Sequence, residues 1–296
     1  MYGLRGEQRH TRAQPNRVRA PTVSVIRGAG HAGHSTAPCP SSLASIKAKA
    51  RAFSQLLIDD RNITKYDVHG LFGIFANGDA VAGKPKLRYF RDYEDVKISF
   101  MHAHACRLGQ RTWRPTVCEV GFNAGLSALL LLESVPNGVV LSFDLGDMPW
   151  ARAADRLLRQ AYGARFPGVV WGDAKDTVQN MATRHPLTCD VAFVDGDKSY
   201  KGRYSTLWAL SDASRPNALV FMDEVSSEAC VNGTFAPGAE HAERCAEFGQ
   251  YPPVRAYNDA VREGWFRVER CAWPRKHPHD GICLGRFQSV KKTRYL

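Results

Sequence analysis

The feature that most constrains the fold is a regular alternation of apolar strand-like runs and amphipathic helical runs that begins at Thr116. The Val-rich strand-like runs are predicted at 116–120, 139–143, 168–171, 190–194 and 217–222. The helices are predicted at 125–134, 149–162, 173–182, 199–212 and roughly 240–262. Strands that alternate with helices in this way form βαβ units, so the pattern predicts a doubly wound α/β fold around a parallel sheet.

The last part of the chain departs from this alternation. The runs 265–271 and 281–287 are strand-like, but no helix separates them, so we expect them to pair antiparallel. Five parallel strands followed by an antiparallel hairpin resemble the seven-stranded, Rossmann-like fold of the class I S-adenosylmethionine-dependent methyltransferases. The resemblance implies a single methyltransferase domain over residues 43–296.

Two helices predicted ahead of the sheet, at 42–58 and 91–108, are expected to form a helical cover over 43–110. Residues 1–42 are rich in Arg, Pro, Gly, Ser and His and lack apolar periodicity, which predicts a disordered tail or a targeting segment that the fold does not need. The expected location is therefore cytoplasmic, or organellar (plastid or mitochondrion) if this segment is a transit peptide.

The formal charge of +11 is concentrated at the N-terminus. Residues 1–52 contain nine Lys and Arg against one acidic residue, which leaves a net charge of only +3 for the rest. A nucleic-acid-binding domain would carry its basic residues on the folded part, so we expect no nucleic-acid partner. No window approaches 18 apolar residues, so we expect no membrane-spanning helix either.

The eight cysteines form no CxxC pair: Cys39, Cys106, Cys118, Cys189, Cys230, Cys245, Cys271 and Cys283. Scattered cysteines without such spacing favour free thiols in a reducing compartment and no disulfide framework. Cys118 and Cys189 border predicted core strands, where a free thiol behaves as a small hydrophobic side chain.

A glycine-containing turn joins the first predicted strand to its helix, with the sequence Glu119-Val-Gly121-Phe122-Asn123-Ala-Gly125. It resembles the first motif of the class I methyltransferases, an acidic residue followed by GxxxG. The resemblance implies that S-adenosylmethionine binds here, with Ser127 adding a hydroxyl contact to its methionine carboxylate. The implied cofactor-binding residues are Glu119, Gly121, Phe122, Asn123, Gly125 and Ser127.

Acidic residues also follow the next two strands. Asp144 lies 25 residues after Glu119, where the superfamily places an acid on the ribose hydroxyls, and a carboxylate there accepts two hydrogen bonds from a vicinal diol. Asp173 and Ala174 follow the third strand and resemble the motif that approaches the adenine amino group. Taken singly, each acid also fits a solvated loop residue or a helix cap.

The run Asp195-Gly-Asp197-Lys198-Ser-Tyr200 follows the fourth strand, and the pair Asp223-Glu224 follows the fifth. This pattern resembles the metal-dependent O-methyltransferases of the catechol and caffeoyl-CoA type, which have Asp-Asn at the second place. The resemblance implies that Asp195, Asp223 and Glu224 hold a divalent cation such as Mg²⁺, that Asp195 also borders the cofactor, and that Lys198 is the catalytic base. An oxygen-only ligand set suits such an ion.

The sequence thus predicts methyl transfer to a hydroxyl oxygen of a small molecule, assisted by a divalent metal. Two alternatives stay open: a metal-independent methyltransferase, and a protein that binds the cofactor without turnover. We expect a small-molecule acceptor as the partner, with a homodimer as one possible assembly. If Glu224 is a metal ligand, Glu224→Asn restores the residue type of the resembling family and should preserve activity.

Overall fold

The computed structural model describes residues 39, 41–59, 87–148, 150–184, 188–225, 251–273 and 281–288. Its centre is a seven-stranded sheet in the order β3-β2-β1-β4-β5-β7-β6. The strands are β1 (Thr116–Val120), β2 (Val139–Asp144), β3 (Val169–Trp171), β4 (Cys189–Val194), β5 (Ser214–Val225), β6 (Phe266–Ala272) and β7 (Gly281–Phe287). The first five strands are parallel, and β7 pairs antiparallel with both β5 and β6, which confirms the predicted fold class.

Seven α-helices are present in the described part of the chain. They are α1 (Leu43–Asp59), α2 (Leu87–Arg111), α3 (Leu126–Ser134), α4 (Ala151–Tyr162), α5 (Ala174–Arg184), α6 (Tyr200–Ala213) and α7 (Pro252–Arg262), with a short 3₁₀ turn at Gly163–Arg165. The predicted helix at 240–262 therefore includes α7, while its first part falls in 226–250, outside the described residues. None of these helices is long and apolar enough to cross a membrane.

The sheet is buried on both faces because alternate residues of its central strands enter two separate clusters. Val117 and Val191 pack with residues of α1 to α4 on one face. Cys118 and Ala192 pack with residues of α5, α6 and α7 on the other. This two-sided burial explains why the strands read as nearly continuous apolar runs in the sequence.

The order of the strands defines where a ligand can bind. β1 lies between β2 and β4, and the chain runs outward to β2 and β3 before it returns to β4 and β5. The loops after β1 and β4 therefore leave the sheet in opposite directions and open a crevice at its carboxyl edge. Ligands of doubly wound folds bind at this position.

The N-terminal helices are fixed to the domain through Glu133 of α3, which is nearly buried. Its carboxylate accepts hydrogen bonds from Ser41 Oγ at 3.0 Å, Lys49 Nζ at 2.7 Å and Tyr162 Oη at 2.7 Å. These donors hold the pKa of Glu133 below its usual range although burial acts to raise it. Ser41 thus contacts the domain, although it falls within the segment 1–42 that we expected the fold not to need; residues 1–38 lie outside the described part.

Three disulfide bonds join Cys39 to Cys106, Cys118 to Cys189 and Cys271 to Cys283. No described cysteine is a free thiol, so the expectation of free thiols is wrong for these positions. The fold supplies the reason, because β1 pairs with β4 and β6 pairs with β7, which brings cysteines distant in sequence side by side. Disulfides of this kind are typical of oxidising compartments.

We predict that alkylation of the denatured, unreduced protein leaves these six cysteines unmodified, and that reduction makes all six reactive. Peptide mass spectrometry should recover the three cross-linked peptide pairs. A disulfide contributes about 2–4 kcal/mol to stability, so prior reduction should also lower the free energy of unfolding measured in urea. Alkylation of Cys118 and Cys189 without reduction would contradict the assignment.

Candidate active site

The loop after β1 packs directly against the loop after β4 at Gly121, whose φ is 97°. A Cβ atom on Gly121 would lie 2.6 Å from the carbonyl oxygen of Asp195, so only glycine fits. Gly125 has φ 77°, and a Cβ there would lie 2.8 Å from the Phe122 ring. Phe122 itself is buried and stacks on Phe166. Gly121 thus allows the β1 loop to pack against the β4 loop, and Gly125 allows the Phe122 ring to pack against the backbone of the same loop.

Asp144 at the end of β2 anchors this glycine loop. Its Oδ2 accepts the backbone N–H of Asn123 at 2.9 Å, and its Oδ1 accepts that of Gly146 at 2.7 Å. Asn123 has a left-handed backbone (φ 48°), and Trp150 Nε1 donates to its side-chain Oδ1 at 2.6 Å. Asp144 therefore shapes the glycine loop, and its half-buried carboxylate retains lone pairs for further donors.

Glu119 lies fully buried below the loop. Ser142 Oγ donates to its Oε2 at 2.5 Å. Its Oε1 has no hydrogen-bond partner among the described residues, although the Ser127 hydroxyl is close enough to act on the carboxyl. Burial raises the pKa of Glu119 to about 8, against the lowering effect of both serine hydroxyls. At neutral pH the group is therefore mostly a neutral carboxylic acid.

Asp173 and Ala174 lie at the start of α5, beyond the end of β3. Asp173 is half exposed, and its carboxylate accepts the backbone N–H of Lys175 at 3.1 Å and pairs with Lys175 Nζ at 2.8 Å. The hydrogen bond from the Lys175 ammonium lowers the pKa of Asp173 below its usual range. These contacts are those of a helix cap, which was the alternative interpretation of this acid.

A cavity of about 160 Å³ extends from the glycine loop to the ends of β4 and β5. Of the predicted site residues, the cavity is lined by Gly121, Phe122, Asn123, Ser127, Asp195 and Asp223. The other predicted site residues do not line it: Glu119, which is fully buried, Gly125, Asp144, Asp173, Ala174, Lys198 and Glu224. Helix α2 adds Lys97, a residue that sequence reasoning missed because it interrupts the apolar face of the helix.

The three acids predicted to hold the metal are each paired with a basic side chain. Lys198 Nζ lies 2.5 Å from Asp195 Oδ1 and 2.8 Å from Glu224 Oε2. Lys97 Nζ lies 2.6 Å from Asp223 Oδ1, and both side chains are largely buried. The edge thus contains fixed positive charges beside its carboxylates.

Arg203 of α6 is the third cation of this edge, and its side chain is fully buried. Its Nη1 donates to the carbonyl of Val194 at 2.8 Å, its Nε donates to the carbonyl of Asp197 at 3.2 Å, and its Nη2 pairs with Glu224 Oε2 at 3.1 Å. Glu224 adopts a left-handed backbone (φ 59°). Glu224, where the resembling enzymes have Asn, is the counter-ion of the buried Arg203 guanidinium.

These pairings do not fit the predicted divalent site. Asp223, Asp195 and Glu224 each already neutralise an ammonium or guanidinium group, which is a donor and competes with a metal ion for the same oxygens. In the described part of the chain, no group of three or more His, Cys, Asp and Glu side chains is arranged to hold a metal ion.

The electrostatics of Lys198 do not suit the catalytic base that the resemblance implies, because a base must be able to lose its proton near neutral pH. Burial acts to lower the pKa of Lys198, but Asp195 and Glu224 together raise it above its ordinary value. Burial, together with Asp223 and Glu224, raises the pKa of Asp195, against the effect of Lys198. The structure therefore presents Lys198 as a protonated ammonium at neutral pH.

Comparison with known proteins agrees with this fold. Residues 118–225 match the model of a family described as a methyltransferase domain. Similar solved structures include the O-methyltransferase from Bacillus cereus in complex with S-adenosylhomocysteine, at 17% identity and TM-score 0.49, covering 82% of this chain and 100% of that one. Another is TomG from Streptomyces achromogenes in complex with S-adenosylmethionine, at 18% identity and TM-score 0.48, covering 82% and 90%. A comparison with curated protein sequences finds no match.

The strand order and the glycine loop at the β1–β4 crevice agree with this family match. The match shows a methyltransferase domain over residues 118–225.

We predict that Glu119 makes the stability of the protein depend on pH. Its pKa rises from an ordinary 4.5 to about 8 on folding. The free energy of unfolding is therefore highest below pH 4.5 and falls as the pH rises to about 8, because the folded protein must then hold a buried charge. The loss amounts to about 4–5 kcal/mol. Urea unfolding of Glu119→Gln should show a flatter profile over this interval, whereas the exposed control Asp176→Asn should not. Equal slopes for wild type and Glu119→Gln would contradict this account.

The structure changes the expectation for Glu224→Asn. This variant leaves Arg203 buried without its counter-ion, and we predict a loss of about 3 kcal/mol in the free energy of unfolding. Asn tolerates a positive φ better than Glu, which offsets a small part of the loss. Glu269→Gln is the matched control, because its partner Arg286 is about one-third exposed, and it should cost at most about 1 kcal/mol. Equal losses for both variants would contradict the assigned role of Glu224.

Proposed function

We propose that this enzyme transfers a methyl group from S-adenosylmethionine to a hydroxyl oxygen of a small, largely apolar molecule. The observation that carries the proposal is the cavity that joins the glycine loop to the acidic edge of β4 and β5. Its remaining walls are mostly apolar and are formed by Ile98, Met101, Leu126, Leu130, Phe193 and Ile282. An aromatic or aliphatic body fits such walls, with its hydroxyl at the polar end.

The residues around the glycine loop fit the cofactor. Ser127 is positioned at the first turn of α3, where backbone N–H groups are also free to meet a carboxylate. Glu119 Oε1 is a buried polar atom without a partner among the described residues, and in the neutral acid it can donate or accept a hydrogen bond. Asp144 offers lone pairs to the ribose. When bound, S-adenosylmethionine supplies an electrophilic methyl group on its sulfonium.

The protein itself contributes position and charge to the reaction. The rigid contact of Gly121 with the Asp195 backbone holds the cofactor loop and the acceptor edge at a constant distance. Alignment of this kind supplies a large part of the catalysis of a displacement reaction. Assistance by a divalent cation, which the family resemblance implies, is not part of this proposal, because basic side chains already neutralise the acids concerned.

Two measurements test this proposal. Calorimetry should detect binding of S-adenosylhomocysteine to the purified protein. Incubation with methyl-labelled S-adenosylmethionine and a panel of phenols, catechols and aliphatic alcohols should give a labelled O-methyl product identified by mass spectrometry. Binding without methylation of any hydroxyl acceptor would favour the cofactor-binding protein without turnover, and label on nitrogen or carbon would overturn the choice of oxygen.

We predict that Asp144→Asn weakens the affinity for S-adenosylhomocysteine by about tenfold to a hundredfold, equivalent to about 1–3 kcal/mol for the hydrogen bonds lost. The amide can no longer accept on both oxygens, so the glycine loop and the ribose lose a common partner. Calorimetry measures the change, with Asp176→Asn on exposed α5 as the control. An unchanged affinity would remove Asp144 from the cofactor site.

A further inference from the structure

We infer that this site carries its own cations in the place where the resembling O-methyltransferases bind a divalent ion. Lys97, Lys198 and Arg203 neutralise Asp223, Asp195 and Glu224, and of the three only Lys198 is substantially exposed, beside the cavity-lining Asp195. The inference deepens the proposed function, since it states how the acceptor site works without a metal.

The charges of the two sets balance. Three carboxylates stand at the ends of β4 and β5, and three basic groups lie within 3.1 Å of them. A divalent ion would need these oxygens and would also have to approach fixed positive charges. Repulsion between like charges is strongest where water is excluded, and the Lys97 and Arg203 side chains are 7% and 0% exposed.

The three cations come from different elements, so each holds one part of the edge. Lys97 belongs to the cover helix α2 and reaches Asp223 across the cavity. Arg203 belongs to α6 and binds Glu224 together with the backbone carbonyls of Val194 and Asp197. Displacing Lys97 or Arg203 would break a buried ion pair, which is costly.

Lys198 differs from the other two because its side chain is 45% exposed. It lies between Asp195 and Glu224 and can therefore meet a ligand oxygen without leaving its partners. An ammonium in this position stabilises negative charge that develops on the acceptor oxygen, which is a function a metal ion performs elsewhere.

The transfer balances without a metal. The acceptor oxygen supplies the electron pair of the new O–C bond, and the pair of the broken S–C bond stays on sulfur. The hydroxyl proton leaves to water. The products are a methyl ether, S-adenosylhomocysteine and one proton.

The experiment is a Mn²⁺ titration of the full chain followed by electron paramagnetic resonance of the free ion. We expect that the wild type has no Mn²⁺ site involving Asp223, so Asp223→Asn should leave its Mn²⁺ binding unchanged. The double variant Lys97→Met, Lys198→Met leaves three carboxylates with Arg203 alone, and it should gain a Mn²⁺ site and a higher melting temperature in Mn²⁺. Adding Asp223→Asn to that variant should abolish the gain.

If the double variant does not fold, Lys198→Met alone serves, since this side chain is half exposed. It should gain weaker Mn²⁺ binding and lose about 10²-fold in turnover, the scale for one stabilising donor, while Lys198→Arg should retain more activity than Lys198→Met. Wild-type Mn²⁺ binding that Asp223→Asn removes would overturn the inference, as would variants that never gain a site. The Mn²⁺ binding results do not require a known acceptor, whereas the turnover comparison does. Absence of any methyl transfer by the wild type would count against the proposed function alone.

Discussion

The buried guanidinium of Arg203 is the interaction on which the functional edge of this sheet depends. It donates to the backbone carbonyls of Val194, the last residue of β4, and of Asp197, and it pairs with the carboxylate of Glu224 at the end of β5. These contacts fix the two strand ends relative to each other. Gly121 extends the same rigid unit to β1, because its Cα packs against the Asp195 backbone. Loss of a buried charge partner is expensive, and this cost keeps the edge in one arrangement.

This arrangement separates two tasks along the crevice. On the β1–β2 side, Asp144 and the glycine loop form a polar, hydrogen-bonded seat whose geometry suits the cofactor. On the β4–β5 side, paired charges stand beside an apolar cavity that suits an acceptor. The cover helix α2 joins the two sides, since it supplies both apolar wall and the ammonium that neutralises Asp223. Helix α2 is therefore part of the site.

The sheet could be predicted from sequence because its signal is local. Strands such as β1 and β4 are short apolar runs that stand between helices, and β1 and β7 begin and end where the pattern placed them. The positions of Asp195, Asp223 and Glu224 at strand ends follow from the same pattern. Their partners do not, because Lys97 is distant in sequence and Arg203 sits in a helix without a motif. Disulfide pairing could not be predicted either, since it arises only from tertiary contacts between segments: strand pairing for two bonds and the packing of Cys39 against helix α2 for the third.

The central claim is that internal cations occupy the role of a metal, and a crystal structure grown with S-adenosylhomocysteine and Mn²⁺ tests it most directly. The account predicts the ligand over the β1–β4 crevice, Lys97 still against Asp223, Arg203 still against Glu224, and no anomalous peak between the three carboxylates. A Mn²⁺ ion within about 2–2.6 Å of Asp195, Asp223 and Glu224, with the lysines displaced, would contradict it.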